Sequence, residues 1–246
     1  MQEESFWIGK DFMEKEKIII QRIEEGILTA EEDEVAAEYL AEIPLRDGRN
    51  LQIACTPAYV EEMILGRRFL LRDLTAEEQE EYRKRKENAG EMHRKTGADT
   101  PAGQCLAKRE LKQVELSEIF RIAEETFECP GTLFYDTGCA HCCALVQEGH
   151  VVCCIEDIGR HNALDKAVGY ALKHGISMEQ SYLLTSGRIS GDYLQKVIAA
   201  GFPMVVSRAA VTSAAASLAR EKNITMLGFV RKRSGNVYHM GRIEVK

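Results

Sequence analysis

The stretch Glu156-Asp157-Ile158-Gly159-Arg160-His161-Asn162-Ala163-Leu164-Asp165-Lys166 marks a change of rhythm in the chain. Before it, residues 151–155 form a short apolar run of strand length. After it, Leu164, Val168, Ala171 and Leu172 recur at the spacing of one helix face, and the helix reads over 159–173. Working outward, the alternation continues. Residues 117–128 read as helix, and 132–135 and 144–147 as strands. Then come strand 182–185, helix 190–200, strand 204–207, helix 212–221, strand 225–230 and a last strand pair. Strands alternating with helices of ten to fifteen residues predict a largely parallel sheet covered on both faces.

Upstream the pattern differs. Residues 18–23 read as strand, and an acidic helix is predicted from about Thr29. Asp47-Gly48 joins runs 41–44 and 51–55 as a hairpin, because Asp-Gly supplies the positive φ of a tight turn. Thr56-Pro57 opens a helix with Val60, Ile64 and Leu65 at helical spacing. A further helix over 75–88 starts with the capping box Thr75-x-x-Glu78. Residues 89–110 then lose regularity around Gly90, Gly97, Pro101 and Gly103, and this loop contains Cys105. Long irregular loops are uncommon in compact domains unless they are functional or disordered.

The chain has 246 residues, 45% hydrophobic and 29% charged, which is ordinary globular composition. No apolar run reaches the ~18–20 residues of a membrane span, and the first twenty residues lack a signal-peptide core. The net charge of −7 divides unevenly, −10 over residues 1–127 and +3 over 128–246. Net acidity argues against general nucleic-acid binding, which depends on phosphate neutralisation, yet leaves room for one basic pocket. Eight cysteines (55, 105, 129, 139, 142, 143, 153 and 154) are many for a chain large enough to build a core without disulfides. They read as thiols with chemistry or as buried filler.

Several groups of residues have chemical potential. The opening stretch closes a strand and starts a helix, where an open α/β sheet places ligands and free N–H groups attract anions. On that helix His161 faces Asp165 and Asn162 faces Lys166 at i,i+4. A capped helix with surface ion pairs uses the same residues. Thr185-Ser186-Gly187-Arg188-Ile189-Ser190 also joins strand to helix, with Arg188 as a fork for phosphate or carboxylate, although plain turn chemistry reads the same way. Phe229-Val230-Arg231-Lys232-Arg233-Ser234-Gly235-Asn236 places three cations in one turn, either to hold an anion or to solubilise a hairpin tip.

Thr137-Gly138-Cys139-Ala140-His141-Cys142-Cys143, with Cys153-Cys154, is open to three readings: packing, a redox pair or half a zinc site. Cys55 and Cys129 read as packing. Cys105, near Lys108 and Arg109, is a candidate reactive thiol or an incidental one. The zinc deaminase pattern is unmet: there is no H-x-E triplet, and Cys129-Pro130 has no following Cys-x-x-Cys.

The 156–166 run resembles the formate dehydrogenase accessory sulfurtransferase family (FdhD), together with Thr137-Gly138-x-x-His141, Ser186-Gly187-Arg188-x-Ser190, residues 203–217 and Gly228-Phe229-Val230-Arg231 through Tyr238. The resemblance runs from about residue 38 to the end and is weakest over 75–127. It implies a persulfide carrier that takes sulfur from a cysteine desulfurase on a loop cysteine. The carrier passes that sulfur to the molybdenum or tungsten bis(molybdopterin guanine dinucleotide) cofactor before the formate dehydrogenase catalytic subunit receives it. It further implies a cytoplasmic homodimer whose C-terminal domain has a cytidine deaminase-like fold without the deaminase metal. That domain binds the guanine-nucleotide end, with GDP as its fragment. By that resemblance the cofactor residues are Phe229, Val230, Arg231, Lys232, Arg233 and Ser234, framed by Arg160, His161, Ser186 and Arg188. Cys105 is the carrier, and no resident metal, nucleic acid or membrane is implied.

The sequence also departs from the family. The family's loop carries Cys-Gly-x-Cys-Gly, but Ala102-Gly103-Gln104-Cys105-Leu106 lacks the first cysteine. Cys139, Cys142 and Cys143 stand where the family generally has small residues, either as packing changes or with one of them as a displaced partner for Cys105. A single thiolate suffices to accept a persulfide but cannot release sulfur by closing a local disulfide. The rival reading is a chaperone that holds the cofactor and transfers no sulfur. The expected architecture is α/β, with a small α+β N-terminal domain over 1–88, a mobile loop over 89–115, and a C-terminal domain over 116–246 built on a mixed sheet flanked by helices.

Overall fold

The computed structural model describes residues 14–95, 113–128 and 132–246. Strands β1 (Lys15–Glu24) and β2 (Ile27–Ala36) form an antiparallel hairpin closed by Glu25 and Gly26, both at positive φ. The acidic segment from Thr29 is therefore strand, not helix. Its glutamates meet cations across the ladder, Lys17 with Glu32, Lys15 with Glu34 and Arg22 with Glu31. Cross-strand pairing set by the two-residue turn overrides the helix propensity of Glu and Ala.

A second hairpin, β3 (Tyr39–Pro44) with β4 (Asn50–Cys55), turns through Asp47-Gly48 as the sequence predicts. Helix α1 (Val60–Leu70) starts later than Thr56, because Tyr59 takes a left-handed conformation. Helix α2 (Ala76–Lys95) has the capping box: Thr75 N–H donates to Glu78 Oε2 at 2.7 Å, and Glu78 N–H to Thr75 Oγ1 at 3.1 Å. It continues past Gly90, beyond the point where the sequence reads as loop. The loop cysteine Cys105, and Cys129, lie outside the described residues.

The remaining elements are β5 (Gln113–Val114), α3 (Leu116–Phe127), α4 (Leu133–Thr137), β6 (His141–Gln147), β7 (His150–Asp157), α5 (Arg160–His174), β8 (Tyr182–Thr185), α6 (Gly191–Ala200), β9 (Met204–Ser207), α7 (Ser213–Lys222), β10 (Thr225–Arg231), β11 (Ser234–His239) and β12 (Glu244–Val245). The segment read as a strand over 132–135 is helical. Thr132 Oγ1 accepts from Tyr135 N–H, and the distant Glu156 carboxylate accepts from Leu133 N–H at 2.7 Å and Phe134 N–H at 3.1 Å. A carboxylate supplied from another strand satisfies the orphan donors of a helix start.

The central sheet has the order β11-β10-β9-β8-β6-β7 and is mixed. Only β8, β9 and β10 run parallel, while β6 is antiparallel to both β7 and β8. The expectation of a largely parallel sheet fails because Glu148-Gly149, both at positive φ, folds β6 and β7 into a local hairpin. One face packs Cys143, Leu145, Cys153, Ile155, Leu183 and Val205 against α5, α6 and α7. The other packs Cys142, Ala144, Cys154, Leu184 and Val206 under α3, with Ile243 and Val245 from the tail. Adjacent cysteines thus separate onto opposite faces, as strand geometry requires.

The β3–β4 hairpin and α1 join this layer at one buried node. Asp157 and Lys166, both fully buried, pair at 2.7 Å. Thr56 donates its N–H to Asp157 at 3.0 Å and accepts from Lys166 Nζ at 2.6 Å. Asn162 Nδ2 donates to Asp157 Oδ1 and to the Ala54 carbonyl. Asp165 holds Arg67 of α1 and Lys196 of α6. Much of the 156–166 run is therefore the joint between the two parts.

Candidate functional site

The C-terminal ends of β8, β9 and β10, the start of β6 and the end of β7 all open on the same edge of the sheet. A cavity of about 520 Å³ lies there, within the range of small-ligand sites. Its walls include His141, Cys142, Ser186, Arg188, Arg208 and Phe229, with Phe127 and Phe134 from the helical side. A smaller cavity of about 250 Å³ adjoins it, sharing Phe127, Arg208 and Arg231 and adding Val230, Lys232 and Arg233.

The turns are interlocked. Ser186 N–H donates to the Cys142 carbonyl at 3.1 Å, Arg208 N–H to Thr185 O at 3.0 Å, and Phe229 N–H to Ala209 O at 3.0 Å. Gly187 is required by packing: a Cβ there would sit 2.8 Å from Arg160 Cβ. Phe229 takes φ 55 where the β10–β11 register is irregular, a strained conformation for an aromatic residue. Lys232 and Arg233, at φ 48 and 58, form the two-residue turn between paired Arg231 and Ser234. Such turns usually carry Asn-Gly; here they present two cations. Ser234 Oγ donates to the Arg231 carbonyl and closes the turn.

Two arginine–aromatic pairs frame the space, Arg208 over Phe127 and Arg231 over Phe229, each at 5.8 Å. His141 Nδ1 lies 3.4 Å from Ser186 Oγ. Burial, reinforced by Arg160 and Arg188, lowers the His141 pKa and favours the neutral imidazole. Burial raises the Glu156 pKa against the opposing N–H bonds from Phe134 and Leu133. Thr126 is buried at 2% exposure, and its hydroxyl, on the cavity wall, has no partner among the described residues. Guanidinium forks suit phosphates, and aromatic faces suit bases. The donor set fits a nucleotide with a pyrophosphate.

A family model for the FdhD/NarQ family matches residues 70–244. The chain belongs to the FdhD/NarQ family. A relative from Bacillus subtilis, named sulfur carrier protein FdhD, is 31% identical, covering 91% of this chain and 95% of its own length. A Listeria monocytogenes relative of the same name is 33% identical, covering 89% and 94%. A crystal structure from Desulfotalea psychrophila, described as a formate dehydrogenase accessory protein, superposes with a TM-score of 0.70 at 24% identity, covering 92% and 96%. That likeness shows the shared mixed α/β fold.

Within this FdhD/NarQ chain, Ser186, Arg188, Phe229 and Arg231 meet in the larger cavity, and Val230, Lys232 and Arg233 in the smaller one. Arg160 packs behind Gly187 and donates to Ser190 Oγ at 3.3 Å. His161 turns to α6, with Nε2 3.2 Å from Asp192 and its ring against Tyr193. Sequence reading did not assign roles to Arg208, Thr126, Phe127 or Phe134. Arg208 directly follows β9, and the strand-end rule used for β8 would have found it. The three others sit on or beside helices whose approach to the sheet has no local signal. Packing accounts for the buried Cys143, Cys153 and Cys154, whereas Cys142 is buried on the cavity wall and Cys139 is exposed. No cluster of three or more potential metal-ligating His, Cys, Asp or Glu side chains occurs among the described residues, nor a helix apolar and long enough to cross a membrane.

Proposed function

We propose that this chain is a sulfur carrier in formate dehydrogenase maturation. It takes persulfide sulfur from a cysteine desulfurase on Cys105 and passes it to the molybdenum or tungsten bis(molybdopterin guanine dinucleotide) cofactor, its client. The guanine-nucleotide end lies in the paired cavities of a cytidine deaminase-like C-terminal layer, in a cytoplasmic homodimer. The supporting observation is the convergence of Arg188, Arg208 and Arg231 with Phe229 and Phe127 around one space at the strand ends. Arg231, Lys232 and Arg233 neutralise the pyrophosphate, and Phe229 offers a face to the base. The relatives' names support the same role.

GDP titrated by calorimetry tests the cavity. Arg231→Ala with Arg233→Ala is expected to weaken binding about tenfold or more, since each charge-assisted bond contributes roughly 1.5–3 kcal/mol. Unchanged affinity refutes the assignment. Desulfurase loading tests the carrier: Cys105→Ala is expected to abolish formate dehydrogenase activation. Ala102, in place of the first loop cysteine, favours one alternative, a chaperone that binds cofactor without transferring sulfur. A Cys105→Ala variant that still activates the dehydrogenase would sink the carrier role of Cys105.

A further inference from the structure

Cys142 has no role in the reading above. β6 buries its neighbour Cys143 against the α5 and α6 side, while Cys142 faces the larger cavity beside His141, Arg188 and Arg208. Its position is fixed: Cys142 N–H donates to Ser186 Oγ at 2.9 Å, and its carbonyl accepts from Ser186 N–H at 3.1 Å and Thr185 Oγ1 at 3.3 Å. A second feature of the cavity points to an occupant. The Thr126 hydroxyl, on the same wall, is buried and unpartnered among the described residues. Buried polar atoms are nearly always satisfied, so a group in the cavity is its natural partner.

Behind Cys142, on the same face, lies the fully buried Cys154. Burial, with Cys142 beside it, pushes the Cys154 thiol up and keeps it protonated. The two thiols are not a disulfide pair. Cys142 stands opposite Glu156, and Cys154 opposite Ala144, which makes them diagonal neighbours. Diagonal Cα atoms lie about 7–8 Å apart, beyond the usual disulfide span of about 4.4–6.8 Å. Cys142 is therefore a free thiol on the cavity wall, and a deprotonated thiol is the nucleophilic form.

We propose that Cys142 is a second sulfur station, an in-cavity thiol that accepts the sulfane sulfur of a persulfide and holds it beside the bound anionic ligand. The Cys142 thiolate attacks the outer sulfur of a donor persulfide, R–S–SH. A new S–S bond forms at Cys142, the donor S–S bond breaks, and the donor leaves as the thiolate R–S⁻. The proton on the outer sulfur travels with it. The exchange is redox-neutral and needs no further reactant. The thiol chemistry stands on the cavity alone; the ligand beside it rests on the nucleotide reading given above.

The test uses the full chain, with Cys105→Ala as background, treated with glutathione persulfide. Thiols are then alkylated and the protein digested and mapped by mass spectrometry, with fragment ions that separate Cys142 from Cys143. The expected result is the mass gain of one sulfur atom on Cys142, lost in Cys142→Ala and in the better-packed Cys142→Ser. The gain is retained in Cys143→Ala and reduced in Thr126→Val. Sulfur found only on other cysteines of the folded protein overturns the station. GDP titration of the same samples separates the two proposals. An unloaded Cys142 in a protein that binds GDP removes the station and leaves the nucleotide cavity. A loaded Cys142 in a protein that binds no GDP keeps the station and removes the nucleotide reading.

Discussion

Glu14 shows how one side chain couples the edge of the fold to its buried node. Burial pushes its carboxyl from about 4.5 up to about 7; Lys166 opposes this, and Glu156 and Asp157 add to it. A raised carboxyl favours the protonated form in the folded state. The stability it contributes is complete below about pH 4.5 and is lost as pH rises through 7. Glu14→Gln, neutral throughout, is therefore expected to match the wild type at pH 4 and to melt higher at pH 8, as thermal unfolding at both values would show. His161 works in the opposite sense. Burial, with Lys196, Arg160 and Arg67 nearby and Asp192 opposing, lowers it to about 4. Its contribution is present above about pH 6.5 and is lost as pH falls toward 4. At this scale the basic turn was legible: three consecutive cations after a strand. That Phe229, Lys232 and Arg233 all adopt positive φ was not, because only the irregular β10–β11 pairing imposes it.

Among the elements, the crossing of α1 on α5 is the closest contact between the two parts of the chain. A Cβ at Gly169 would lie 1.9 Å from the Glu62 carbonyl oxygen, and one at Gly66 would lie 1.9 Å from that of Asp165. Backbone cannot yield as a flexible side chain does. Gly169→Ala is expected to cost about 3 kcal/mol or more despite the better helix propensity of Ala, read as a lower denaturant midpoint with unchanged slope. The strongly periodic helices and the short apolar strands of the C-terminal half are where the sequence predicts them. The misread elements, β2 and α4, depend on partners far along the chain: cations across a hairpin for β2, and the Glu156 carboxylate for α4.

For the molecule as a whole, the Asp157–Lys166–Thr56 node ties the β3–β4 hairpin to the sheet that carries the site. Both charges are fully buried, so removing one leaves the other uncompensated. Lys166→Ala is expected to destabilise the protein by about 3–5 kcal/mol. Asp157→Asn with Lys166→Met is expected to cost less than Lys166→Ala alone, as chemical denaturation of both variants would reveal. If the pair were dispensable, the single variant would show a loss below about 1 kcal/mol.

What the sequence determined by itself is local or lies in contiguous motifs: the strand–helix rhythm, the capping box, the Asp47-Gly48 turn, the family, and the cations at 231–233. These depend on spacing and on neighbours within a few residues. The tertiary structure alone decided which of those residues face one another. It made the sheet mixed, used much of the 156–166 run as a buried joint, turned His161 away from the cavity, and brought Arg208, Thr126 and Cys142 to it. Those outcomes depend on strand order and helix approach, and contacts between residues a hundred positions apart leave no periodic trace in the chain.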